Sequence, residues 1–210
     1  MKVIDRSPMR REPRQQRSRQ TVDAVIEAVR VVVRRHGPQA LTTNRIAEVA
    51  GVSVGSLYQY FPDKRSIFSA IHDRHVDDVR EVVAQVTAAC AGAPFDAFTR
   101  ELTEAMVKVH VGVSDLHEIF SAAVPESAPG FKNSLRRTFE SALSRGDPER
   151  YSPDEEERML FVLPYMIESL VHGAAHQSSA TLSRDRAGNE AIRTVLAYVN
   201  SFQGKALHPC

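Results

Sequence analysis

The chain has 210 residues, 42% of them hydrophobic and 25% charged, and its net charge is +1. That is enough apolar material to bury a core in one large or two small domains. No apolar run approaches the roughly 18 residues of a membrane span, no apolar stretch follows the basic N-terminus as in a secretory signal, and Cys90 and Cys210 are too few for a disulfide framework or a Cys-based metal site, so a cytoplasmic protein with free thiols is expected.

The small net charge conceals a segregation. Residues 1–65 hold 13 Lys or Arg against 6 Asp or Glu, a net of +7, which leaves −6 for the remainder. A basic end of this kind suits a polyanion, and an acidic body is repelled by one. Residues 1–16, with Lys2, Arg6, Arg10, Arg11 and Arg14, form a Pro- and Arg-rich arm without apolar periodicity. It is expected to be disordered alone and to serve either as a contact to a nucleic-acid backbone or minor groove, or as a solubilising tail.

The first helix is predicted from about Arg17 to His36, with Val22, Val25, Ile26, Val29, Val32 and Val33 on one stripe and Gly37-Pro38 as its stop. Valine is a modest helix former, so this helix depends on partners for its stability. In the stretch Leu41 to Arg65 that follows, Thr42 and Thr43 are each able to cap a helix start, and Ile46, Ala47, Val49 and Ala50 give that helix an apolar face. Gly51 supplies a tight turn, Val52 packs inward and Ser53 caps the next helix. There Leu57 is the apolar anchor, while Ser53, Val54, Gly55, Ser56, Gln59 and the hydroxyls of Tyr58 and Tyr60 face outward; so slender a helix can approach a major groove. Phe61 and Pro62 end it, and Asp63 caps a further helix whose first turn, with Lys64 and Arg65, suits a phosphate.

Through Ile46-Ala47, Ala50-Gly51-Val52-Ser53, Gly55-Ser56-Leu57-Tyr58, Tyr60-Phe61 and Asp63-Lys64, residues from about 17 to 65 resemble the DNA-binding domain of the TetR (tetracycline repressor-like, AcrR-type) transcriptional regulators. The resemblance implies an all-α homodimer: a basic arm (1–16), a three-helix helix-turn-helix domain (17–65), and a larger helical domain (66–210) that dimerises and binds a small-molecule inducer. It implies DNA contacts at Thr43, Asn44, Ser53, Val54, Gly55, Ser56, Tyr58, Tyr60 and Lys64. At Asn44 this chain has a short amide where the family often has a long basic side chain.

Beyond the motif the pattern stays helical. A long connecting helix from Asp63 carries Ile67, Phe68, Ile71, Val79, Val82, Val83 and Val86 before Gly92 and Pro94 break it, and further stripes run through Phe95, Phe98, Leu102, Met106 and Val109, then Leu116, Ile119 and Phe120, then Phe131, Leu135, Phe139 and Leu143. Ser152-Pro153-Asp154-Glu155 is a capping box. The helix behind it, through Met159, Val162, Leu163, Met166, Ile167, Leu170, Val171, Ala174 and Ala175, is too apolar for one wet face. A last helix from about Asp185 to Phe202 adds Ile192, Val195, Leu196, Val199 and Phe202. Together, at about 153–177 and 186–203, the two are expected to pair with a second copy as a four-helix bundle, where the resembling family dimerises.

Candidate ligand-lining residues are Phe98, Met106, His110, His117, Phe120, Phe139, Met166, Glu168 and His172, aromatic and Met walls with a few polar groups that suit a small apolar or aromatic molecule, and Pro164 is expected to kink its helix beside Glu168. His172 and His176 stand at i and i+4, and His72 and His75 at i and i+3, but Gly173 occupies the place where a zinc hydrolase helix needs Glu. With no nucleophile elbow, phosphate loop or catalytic constellation, neither an enzyme nor a metal or cofactor is expected. The reading is a ligand-responsive regulator, a repressor of a palindromic operator on double-stranded DNA that a small molecule releases. The alternative is a helical small-molecule-binding or metabolic protein without specific DNA binding.

Overall fold

In a computed structural model, residues 16–116, 129–147, 149–176 and 182–202 are described, and among them the regular structure is entirely helical. The eight α-helices are α1 (Gln16–His36), α2 (Thr43–Ala50), α3 (Val54–Tyr60), α4 (Lys64–Ala89), α5 (Phe95–Val111), α6 (Pro129–Ser144), α7 (Pro153–His176) and α8 (Arg184–Asn200), with short 3-10 turns at Pro38–Ala40 and Ser114–Leu116. The basic arm lies outside the described residues, apart from the first residue of α1. Two compact units result, one containing the chain through Asp77 and the other Asp78–Ser114 with the described part of Ser127–Cys210. The division falls inside α4, a single continuous helix.

In the N-terminal unit, α1 packs on α2 and α2 on α3. The expected valine stripe of α1 is the buried one: Val22, Val25, Ile26, Val29, Val32 and Val33 are all in the core, with Ile46 and Ala47 of α2, Leu57 of α3, Phe61, and Ile67 and Ile71 of α4. Burying an aliphatic side chain of this size stabilises by about 1.5–3 kcal/mol, which offsets the weak helix preference of valine. Val49, expected on the same buried face of α2, is 43% exposed instead. On a helix of only two turns, Ile46 and Ala47 take the face toward α1 and Val49 is carried round to solvent.

Caps set the boundaries. Thr42, rather than Thr43, is the cap of α2, its Oγ1 accepting from the Arg45 amide at 3.2 Å. Asp63 caps α4, its Oδ1 accepting from the Ser66 amide at 2.7 Å. At the head of α7 the capping box closes as the sequence predicts: a Glu155 carboxylate oxygen accepts from both the amide and the hydroxyl of Ser152 at 2.9 Å, and Ser152 Oγ accepts from the Glu155 amide at 3.4 Å. For α8 the cap is Ser183, so the helix starts at Arg184, one residue before the expected Asp185, and it ends at Asn200, short of the expected Phe202.

The C-terminal unit is a bundle in which α8 packs on α7 and α5, and α6 on α7. Its core joins Phe95, Phe98, Leu102 and Met106 of α5, Leu135 and Phe139 of α6, Met159, Leu163, Ile167 and Val171 of α7, and Val195 and Val199 of α8. Phe139 meets Phe95 and Phe98 edge-on, with centroids 5.9 and 6.1 Å apart, the preferred geometry for aromatic pairs. α7 continues through Pro164, which is buried. Its apolar surplus appears outside the core, where Phe161 is 64% and Tyr165 51% exposed with their rings 5.6 Å apart.

Candidate nucleic-acid interface

The turn between α2 and α3 begins at Gly51, whose φ of 67° and ψ of 28° lie in the left-handed region that glycine enters without steric penalty. Its amide satisfies the last carbonyls of α2, and the Val52 amide bonds Ala47 O at 3.0 Å. Ser53 then caps α3: its Oγ accepts from the Ser56 amide at 2.9 Å and pairs with the Ser56 hydroxyl at 2.8 Å. Leu57 is fully buried and anchors α3 from beneath.

The outer surface of α3 is low at its first turn and carries Tyr58 and Gln59 beyond it. Val54, Gly55, Tyr58 and Gln59 are exposed, and Ser56 and Tyr60 half-buried. A Cβ placed on Gly55 would meet only Ser53 Oγ, at 3.8 Å, so the surface above it is open. Asn44 is exposed at the start of α2, and the hydroxyls of Thr43 and Tyr58 pair at 3.3 Å across the two helices. Lys64 is exposed at the start of α4; its ammonium donates to Leu41 O at 3.3 Å and lies 5.6 Å from the Phe68 ring centroid. Eight of the nine sequence-predicted contact residues therefore lie on α2, α3 or the turn between them, and Lys64 is tied to the linker before α2.

Sequence reasoning passed over a second set of cations. Arg34, Arg35 and His36 form the exposed last turn of α1, and Arg45 of α2 donates to His36 Nε2 at 3.0 Å. Basic residues there also complement the negative end of the α1 dipole.

The expected ligand residues divide differently. Phe98, Met106, Phe139, His110 and Glu168 are buried, Met166 and His172 half-buried, and His117 and Phe120 lie outside the described residues. The His110 and His172 rings meet edge-on at 4.8 Å, and Lys132 of α6 forms an ion pair of 3.0 Å with Glu168. Separately, a groove of about 460 Å³ runs between α4 and α6, lined by Arg80, Val83, Ala84, Thr87, Phe131 and Leu135 among others; none of the seven described ligand candidates borders it. Among the described residues no three His, Cys, Asp or Glu side chains gather as a metal would need, and no helix is long and apolar enough to cross a membrane.

Residues 25–71 match the family model for bacterial regulatory proteins of the tetR family. Curated relatives are similar over one segment. The nucleoid occlusion factor SlmA of Actinobacillus pleuropneumoniae is 50% identical over 38 residues, 18% of this chain and 19% of its own. The chain thus matches about a fifth of the length of these relatives. Among solved structures, a tetR-family transcriptional regulator from Mesorhizobium loti superposes with a TM-score of 0.64 at 18% identity, over 90% of this chain and 97% of that one. One from Streptomyces coelicolor gives 0.55 at 19% identity, over 87% and 99%. At these identities the structures speak for the fold.

Proposed function

We propose that this chain, a tetR-family regulator by its N-terminal domain, is a repressor that binds a palindromic operator as a homodimer and is released by a small molecule held in its C-terminal unit. The observation that carries the reading is the outer surface of α3: a helix anchored by one buried leucine, with nothing bulky over Gly55, beside exposed Asn44 and Lys64. Such a surface fits a major groove, and the +7 of residues 1–65 supplies the electrostatic attraction.

Roles follow from chemistry. Lys64, Tyr60 and the Thr43–Tyr58 hydroxyl pair bind phosphate oxygens and set register, while Asn44, Val54, Gly55 and Ser56 approach base edges. Ser53 holds the N-terminal turn of α3 in shape through Ser56. Two such readers must lie one duplex turn apart, about 34–36 Å or a multiple, which requires a dimer. The exposed Phe161–Tyr165 pair on α7 supplies apolar surface for it, with α8 as the second helix of the seam.

Release works through α4, which runs unbroken from the reader unit into the ligand-binding unit. A ligand that reverses the population from 1:99 to 99:1 must prefer one state by about 10⁴-fold, so it acts by differential contacts. The protein acts in the cytoplasm without a catalytic step. Electrophoretic retardation of the promoter region of its own gene tests the proposal: a specific complex that weakens steeply with salt supports it, and equal retardation of unrelated duplexes overturns it.

A further inference from the structure

Glu168 carries the feature that the operator-binding account leaves unused. The residue is only 4% exposed, on α7 between the core residues Ile167 and Val171. One carboxylate oxygen, Oε2, takes the Lys132 ammonium at 3.0 Å; the other, Oε1, is buried without a hydrogen-bond partner. Native interiors leave few acceptors in that condition, because desolvating one without compensation is unfavourable.

The neighbours state what is wanted. Lys132, whose ammonium also lies 4.9 Å from the Tyr165 ring centroid, already balances the charge of Glu168. A second full positive charge would be repelled by that ammonium at short range. His110 Nδ1 lies 2.8 Å from Met106 O and His172 Nδ1 lies 2.7 Å from Glu168 O. A carbonyl oxygen only accepts, so both Nδ1 atoms carry hydrogen. The carboxylate is thus met by one cation on one oxygen, and its second oxygen still accepts.

We infer that Glu168 Oε1 is the anchor for the regulatory ligand, an uncharged small molecule with an apolar body and one O–H or N–H group that donates to this oxygen. The inference rests on the ligand-responsive reading above and adds to its small apolar or aromatic inducer a required donor. A site built around a buried acceptor favours a ligand that donates to it, because only a donor supplies the hydrogen bond that the buried oxygen lacks.

Calorimetric titration of the full-length protein with 2-naphthol, 2-methoxynaphthalene and 2-naphthylmethylammonium tests it. The expected result is that 2-naphthol binds roughly tenfold or more tightly than its methyl ether. Glu168→Met should abolish that preference while binding of the ether persists. Equal binding of naphthol and ether by the wild type, including no binding of either, overturns the inference without recourse to a variant. So does a preference for the ammonium, or a preference for naphthol that survives in Glu168→Met. Operator retardation on the same preparation keeps the two readings apart: specific retardation with no donor preference sinks only the ligand assignment, whereas loss of specific retardation in the wild type sinks the regulator reading.

Discussion

Replacing Gly55 by alanine separates what the fold requires of α3 from what its partner requires. The residue sits in the first turn of Val54–Tyr60 with ordinary backbone geometry, since the positive-φ glycines among the described residues are Gly37 and Gly51. An added Cβ would find only Ser53 Oγ at 3.8 Å, an ordinary contact. Alanine also restricts the unfolded chain and favours helix over glycine by about 0.5–1 kcal/mol in a helix interior. So in the first turn of α3, where the preference is weaker than mid-helix, the variant should be more stable by about 0.5 kcal/mol. With a urea dependence of roughly 2 kcal/mol per molar, the unfolding midpoint should rise by about 0.2–0.3 M at unchanged slope. Operator affinity should fall by about tenfold or more, roughly 1.4 kcal/mol, because the methyl group occupies the space through which the helix approaches base edges. No charge has changed, so the dependence of binding on salt should stay the same. Urea unfolding and fluorescence-anisotropy titration on one preparation measure both quantities. A lowered midpoint, or an unchanged affinity for operator, would show that the exposed face of α3 has been misread.

Lys64→Ala should weaken binding to operator and unrelated duplexes alike and reduce the salt slope by about 1; anisotropy titrations at several salt concentrations check this, and an altered base preference would contradict a phosphate role. Gly51→Ala should cost about 1–2 kcal/mol in urea unfolding from backbone conformation alone, since nothing lies within 4 Å of the added Cβ, and Gly51→Asn should cost less. In the C-terminal unit a Cβ on Gly188 would come 2.7 Å from Val107 Cγ1, so Gly188→Ala should destabilise by about 1–3 kcal/mol, with partial recovery in the double variant with Val107→Ala; equal loss in single and double variants would point elsewhere. Phe161→Arg, on a side chain 64% exposed, should shift sedimentation from dimer toward monomer without loss of helical circular dichroism, and an unshifted dimer would remove α7 from the interface.

Local chemistry made the helix-turn-helix legible. Gly51, Ser53, Asp63 and the Ser152–Glu155 box act on neighbours within four residues, so their caps and turns could be read from spacing alone. The valine stripe of α1 was equally plain, because a helix of that length has a well-defined buried face. Val49 was misassigned because α2 has only eight residues, too few for periodicity to decide between the core and its edge. Non-local pairing was not legible. Nothing local to Lys132 marks it as the partner of Glu168; only the approach of α6 to α7 pairs them. Likewise His110 and His172 come together because α5 lies against α7, and the groove beside Arg80 exists only where α4 faces α6. Phe98, Met106 and Phe139 illustrate the same limit, for the pattern that marks a residue as buried does not say whether it faces a ligand or another helix.

The central claim is that two copies present α3 to two half-sites of one duplex. Hydroxyl-radical footprinting of the promoter region of its own gene tests it most directly. The account predicts two protected patches related by a dyad, their centres about one duplex turn or a multiple apart, both lost together in the Phe161→Arg variant. A single unpaired patch, or uniform protection along any duplex supplied, would contradict it.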